Sequence, residues 1–300
     1  MKNWILTLGL AISICGLSSC GSSPEANKTY TTGSTKVLVD ETFKPILEDQ
    51  LAVFDSEYPA ADIDALYKSE NELLKDFLTG DIRVAVLSRL LNDEEKNFYE
   101  NKKINIRVRR FAVDGIALIT HKSAEDSTAT VEDIINVLRG NPGKIRSLVF
   151  DNPNSSTVRY LKEVAGVKEL PSQGVYALKS NPEVIRYVND HPGTIGVTGI
   201  NWIRQPEEGL EQIIPNLKVL GVRNLPGKPG SDDFYKPTQS NIALKRYPLT
   251  RNLYIMNAQG GPGLGSGLAA FLYGERGQRI VLKSGLLPDS IPPREIRIIK

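Results

Sequence analysis

Short β-rich runs alternate with helical segments along almost the whole of this 300-residue chain, and that alternation restricts the fold more than any single motif. Strand-then-helix repeats bury both faces of a sheet when successive strands run parallel and helices pack above and below. Phe43, Ile46, Leu47, Leu51, Phe54 and Tyr58 recur at spacings of three and four, which predicts a helix with one buried stripe. Ser69-Glu70-Asn71-Glu72 is a capping box opening a second helix, and Gly80 closes it. Asn92 with Glu95, and Thr130 with Asp133, start two more. Asn181-Pro182 opens another in the N-cap, N1 arrangement, stopped by His191-Pro192-Gly193. Residues 82–87, 104–111, 115–120, 194–197, 218–222 and 253–256 read as strands, and the Gly- and Pro-rich stretch 210–233 as a surface excursion.

The amino-terminal segment has its own logic. Met1-Lys2-Asn3 precedes an apolar run, residues 4–17, that is too short for a comfortable membrane span and reads as a signal peptide. Leu17-Ser18-Ser19-Cys20 resembles a bacterial lipobox, which implies cleavage before Cys20 and acylation of that residue, a palmitate-type anchor. Residues 1–19 are then a leader and 20–28 a flexible tether. Cys15 would be removed and Cys20 lipidated, leaving neither a disulfide nor a thiolate metal site. The remainder is long for one core and predicts two lobes.

Thirty-seven basic residues against thirty-five acidic ones argue against a nucleic-acid partner. Arg107-Val108-Arg109-Arg110 alternates like a strand face. With only His121 and His191 and no usable cysteine, no metal site is expected. Ser266 lacks the nucleophile elbow. Gly265-Ser266-Gly267-Leu268-Ala269-Ala270 matches a relaxed dinucleotide pattern, yet no βαβ unit follows it, so close helix packing explains it and no cofactor is expected. No enzyme is predicted.

Three loops share one design in which an extended segment ends, a hydroxyl appears and a helix begins. They are Gly33-Ser34-Thr35, the turn at Ser69, and Asn154-Ser155-Ser156-Thr157, which follows the apolar Leu148-Val149-Phe150. Helix amino ends present unpaired N–H groups, and open α/β sheets bind ligands at the carboxyl ends of their strands. Such loops suit a small anion.

The sequence resembles the Pst-type phosphate-binding proteins of bacterial ABC transporters, in the type II periplasmic binding protein class. The resemblance spans residues 29–288 and rests on Gly33-Ser34-Thr35, Leu78-Thr79-Gly80-Asp81 with Val84-Ala85-Val86-Leu87-Ser88, and Gly115-Ile116-Ala117-Leu118-Ile119. It continues through Asn154-Ser155-Ser156-Thr157, Pro192-Gly193-Thr194-Ile195-Gly196-Val197, Tyr247-Pro248-Leu249-Thr250-Arg251, Gly277-Gln278 and Gly285-Leu286-Leu287-Pro288. It implies an α/β fold of two lobes, each a mainly parallel sheet flanked by helices, with the ligand cleft between them. Residues 29–112 plus 241–300 are expected in lobe one and 113–240 in lobe two, with crossings near Val113-Asp114 and Ser240-Asn241.

The resemblance also implies a monomer on the periplasmic side of the bacterial envelope, lipid-anchored, handing phosphate to an ABC permease. Its hydroxyl ligands carry over to Thr35, Ser69, Ser155 and Thr157, with Ser34 and Ser156 beside them. Where the family has an acceptor Asp after the Ser of its second-strand loop, this chain has Ser88-Arg89. Where it has an Arg before the later loop, this chain has Asp151. A reciprocal Arg89–Asp151 pair is therefore expected, with the Arg89 fork suited to an oxyanion. The competing readings are a degenerate relative acting as a sensor or interaction lipoprotein, and a phosphate-ester hydrolase.

Overall fold

The apolar triplet Val37-Leu38-Val39 forms the buried half of β1 (Gly33–Asp40), and its pleat sends Val37 and Val39 to one core and Leu38 to another. β3 (Val84–Leu87) repeats the division, with Val84 and Val86 on one side and Ala85 and Leu87 on the other. The computed structural model describes residues 29–290. It has the two-lobed α/β architecture that the alternation of elements predicts.

In lobe one, β2 (Ala61–Lys68), β1 and β3 are parallel, and β11 (Thr250–Asn257) and β4 (Arg107–His121) continue the sheet antiparallel. α1 (Lys44–Glu57), α2 (Glu70–Thr79), α3 (Asp93–Asn101), α9 (Leu264–Tyr273) and α10 (Glu275–Lys283) accompany it. In lobe two, β4 pairs antiparallel with β8 (Ile195–Gly199), which is parallel to β6 (Leu148–Phe150), itself parallel to β7 (Val175–Ala177). α4 (Val131–Leu138), α5 (Ser156–Ala165), α6 (Asn181–Asp190), α7 (Ile200–Arg204) and α8 (Gln239–Ala243) belong to this side. β5 (Thr128–Thr130) and β10 (Gly221–Arg223) form a separate parallel pair. β9 (Leu217–Val219) and β12 (Leu287–Pro288) each add to an edge of β4.

Two strands expected at 104–111 and 115–120 are in fact one. β4 runs for fifteen residues, pairs with β11 as far as Gly115, and pairs with β8 from Ile116 onward. Gly115 permits a close approach rather than a turn, because a Cβ there would stand 2.7 Å from the Pro237 Cβ. Within the excursion at 210–233, the strand expected at 218–222 is instead two short ones, β9 and β10, divided at Leu220.

Local capping chemistry is mostly realised. Asn92 and Thr130 both form complete capping boxes, and Gly80 closes α2 in the left-handed region at φ 86°. Ser69 stands at the α2 N-cap, but its hydroxyl donates to Glu72 Oε2 at 2.8 Å instead of accepting a backbone amide. The cap of α6 is Ser180 rather than Asn181, which frees the Asn181 amide for a buried role. Among the described residues no helix is long and apolar enough to cross a membrane. The leader and Cys20 lie outside the described residues.

Candidate functional site

Five strand-end turns face one another where the two sheets meet: those after β1, β2, β3, β6 and β8. Each lies at a carboxyl end, and three of them, those after β1, β2 and β8, lead directly into a helical turn, the arrangement that gathers N–H groups and hydroxyls at one place. Asp40, Thr42, Ser69, Glu70, Ser88, Asp151, Ser155, Ser156, Thr157 and Asn201 are all buried there.

At its centre is an ion pair that joins β4 to β11. Arg251 Nε and Nη2 donate to Asp114 Oδ2 at 3.0 and 2.9 Å, and the two side chains are 2% and 0% exposed. Arg251 Nη1 reaches across to the first turn of α5, donating to Ser156 Oγ at 2.9 Å and Thr157 Oγ1 at 3.1 Å. The guanidinium carbon lies 4.6 Å from the centre of the Phe43 ring, in the range of a cation–π contact. Burial pushes the Asp114 carboxyl up and the Arg251 charge pulls it back.

The turn after β1 supplies the opposite wall. Asp40 Oδ1 accepts from the Thr42 amide at 3.0 Å, while its buried Oδ2 has no hydrogen-bond partner among the described residues. Burial raises the Asp40 carboxyl, against the pull of Arg251. Thr42 Oγ1 is 3.5 Å from Ser156 Oγ, and the Thr42 carbonyl accepts from Trp202 Nε1 at 2.8 Å and Asn201 Nδ2 at 3.2 Å. Trp202 belongs to the apolar core that includes Phe43, Ile46 and Leu47, so one edge of the lobe junction is closed by packing.

A second network fixes the loop before α5. Ser155 is the N-cap: its Oγ accepts from the Val158 amide at 3.2 Å and donates to Asp151 Oδ1 at 2.7 Å. Asn181 Nδ2 donates to Asp151 Oδ2 at 3.0 Å, and Thr198 Oγ1 donates to Asn181 Oδ1 at 2.6 Å. Asp151 is thus an anchor for the hydroxyl-bearing turn, buried and raised in pKa by that burial.

The seam between lobes is acidic. Glu41 Oε1 accepts from Asn152 Nδ2 of the other lobe at 3.2 Å. Burial first, and then the charges of Asp151 and Asp40, raise Glu41 from 4.5 to about 7. A carboxyl held high in the folded state contributes stability below its unfolded value and loses it as pH rises through the folded one. Glu41→Gln is therefore expected to melt at a higher temperature than the wild type at pH 8 and at nearly the same temperature at pH 4.5. Parallel melting curves across that range would remove this account of the seam.

Of the residues singled out from sequence, Ser69, Ser88, Ser155, Ser156 and Thr157 come together at this junction, and Arg89 lies at its rim. Ser34 and Thr35 do not. They sit near the amino end of β1, where Ser34 is exposed and Thr35 Oγ1 accepts from Gln259 Nε2 at 3.0 Å. About seven residues of extended chain, roughly 20 Å, separate them from Thr42, which occupies the carboxyl end instead. The Arg89–Asp151 pair does not form either. Arg89 holds Glu95 with hydrogen bonds of 2.7 and 2.6 Å, and Asp151 is saturated by Ser155 and Asn181.

Asp40, Thr42, Asp114, Arg251 and Arg159 escaped the sequence reading of the site. The signal for the first two was the end of the apolar run Val37-Leu38-Val39, which marks where β1 delivers its ligand-side turn. Among the described residues no group of three or more His, Cys, Asp or Glu side chains is placed to hold a metal ion.

The Phosphate-binding protein PstS of Staphylococcus haemolyticus is 22% identical over 275 residues, covering 85% of this chain and 82% of that protein. A solved putative phosphate ABC transporter substrate-binding protein with bound phosphate, from Clostridium perfringens, aligns with a TM-score of 0.69 at 19% identity, over 86% of this chain and all of that one. An ABC-type phosphate transport receptor from Vibrio cholerae aligns at 0.62 with 16% identity, over 85% and 100% of the respective chains. The profile of the PBP superfamily domain matches residues 24–276, and by that match over most of its length the chain belongs to the PBP superfamily.

Proposed function

We propose that this protein is the solute-binding component of an ABC transporter and captures phosphate between its lobes. The observation that carries the reading is the convergence of the Ser156 and Thr157 hydroxyls, the buried Arg251 fork and the unpartnered Asp40 Oδ2 at one junction. The relatives' names, phosphate-binding protein and phosphate transport receptor, support the same ligand. Donors from Arg251 and the α5 amino end suit an oxyanion, while Asp40 suits one that still carries a proton. Hydrogen phosphate has that proton; sulfate at neutral pH does not, and faces an unrelieved carboxylate.

Function is then binding and lobe closure, without chemistry. We assign the hinge to Asp114-Gly115 and to Thr250-Arg251 rather than Ser240-Asn241, because Ile242, Tyr247 and Leu249 pack in the core of lobe two and move with it. The apolar run 4–17 followed by Cys20 supports a lipid-anchored, extracytoplasmic protein tethered by residues 20–28.

Calorimetric titration with phosphate and with sulfate tests the reading. Phosphate is expected to bind and sulfate to bind at least tenfold more weakly, and Asp40→Asn is expected to narrow that ratio. No heat with either anion would instead favour the sensor-type reading, and release of product from a phosphate ester would favour the hydrolase.

A further inference from the structure

Five charged side chains of alternating sign form a row across the lobe junction. On α5 of lobe two, Arg159 Nη1 holds both oxygens of Glu163 at 2.9 and 3.0 Å. The other side of the same guanidinium forks onto Glu70 at the start of α2 in lobe one, through Nε to Oε1 and through Nη2 to Oε2 at 3.1 Å. Glu70 Oε1 lies 3.7 Å from Arg89 Nε, and Arg89 in turn holds Glu95. Ser88 sits in the middle, accepting from Arg159 Nη2 at 3.0 Å and donating to Glu70 Oε2 at 3.3 Å.

Of the ion pairs in this row, Arg159–Glu70 alone links the lobes. Glu70 is 1% exposed, and a carboxylate so deeply buried is tolerated only with a good partner. The row provides one on each side. When the lobes part, Arg159 keeps Glu163 within its own helix, and Glu70 keeps Ser88 and Arg89 within its own lobe. Neither charge is stranded, so the cross-lobe link can break and reform at low cost, which an isolated buried pair cannot do. A surface cavity of about 380 Å³, lined by Asn71, Asn154, Arg159 and Glu163 among others, gives water access to the outer side of the guanidinium.

We infer that Arg159 and Glu70 form a reversible latch that sets how long the cleft stays shut, acting as positioning residues on closure rather than by touching the captured ion. Its kinetic readout rests on the phosphate-capture reading, whereas its effect on lobe closure does not. The neighbouring Asn71–Asn154 contact, 3.1 Å between side chains, is a neutral hydrogen bond at an exposed edge and contributes less.

The test uses the chain from Gly21 onward, which holds every described residue and no cysteine. Glu70→Gln, Arg159→Gln and the double variant are each expected to release phosphate about tenfold faster in stopped flow, with association changed little, as loss of one charge-assisted link predicts. The double variant should release no faster than Arg159→Gln alone, which already removes the Glu70 link together with the Ser88 contact. Spin labels on Asn101→Cys in lobe one and Glu132→Cys in lobe two report the separation of the lobes without phosphate, and the latch variants are expected to add a longer distance. Unchanged release rates, or additive ones, would overturn the latch. Should the wild type bind no phosphate, the capture reading falls and the label distances decide the latch by themselves; identical distances in all variants would end it.

Discussion

Arg251→Met is expected to lower the stability of the fold by about 3–5 kcal/mol, the usual cost of stranding one partner of a buried ion pair, and to abolish phosphate binding. Asp114 is fully buried and faces this guanidinium through Oδ2, so truncation leaves a charge with no route to water. The same change removes the donor that Ser156 and Thr157 share and the contact with the Phe43 ring. Arg251→Lys keeps the charge but cannot span Asp114 and the α5 turn together, and is expected to fall between the two. Urea unfolding and calorimetry separate the effects. In the double variant Arg251→Met with Asp114→Leu, stability should recover in large part while binding does not. An Arg251→Met protein within about 1 kcal/mol of the wild type would show that the pair is not the keystone of the junction.

Gly277→Ala is expected to cost about 3 kcal/mol or more, although it adds one methyl group to a helix. Its Cβ would stand 2.2 Å from the Phe271 carbonyl oxygen and 2.8 Å from the Leu272 Cα, and both are backbone atoms that no rotamer change can move. The corner between α9 and α10 is also tied down on every side. Gln50 Nε2 donates to the Gly277 carbonyl at 2.8 Å, and Gln278 Nε2 donates to the carbonyls of Phe111 and Leu272 at 2.9 and 2.7 Å. Gly261→Ala, where a Cβ meets nothing within 4 Å, is the matched control and should melt with the wild type. Equal melting temperatures for the two variants would mean that the corner relaxes far more easily than its contacts imply.

What could be read in advance was set by how local the chemistry is. The capping boxes at Asn92 and Thr130 are complete within four residues, and the hydroxyl turn at 155–157 announces itself as a strand end followed by a helix start. Thr35 misled because Gly-Ser-Thr looks like a ligand loop wherever it falls. Only the direction of β1 shows that the ligand-side turn holds Thr42. Arg251 was out of reach of such reasoning: its carboxylate partner is 137 positions away and its hydroxyl partners 94 and 95. Arg159 resembled any solvated helical arginine with a Glu four residues on, and its second partner lies 89 positions back. The two-lobed plan was legible because periodicity and length both depend on many residues at once. The charge pairing was not, because each pair depends on two.

The uninterrupted β4 has a mechanical consequence. A hinge made of loops can swing freely, but a strand whose hydrogen bonds belong to both sheets behaves as a torsion bar, stiff against bending and yielding only by twist. Because that bar is the common timber of both halves, neither can be cut out and expressed by itself with its sheet intact. New chain ends are best opened at the exposed 226–228 turn, outside the bar, and worst opened at 113–115.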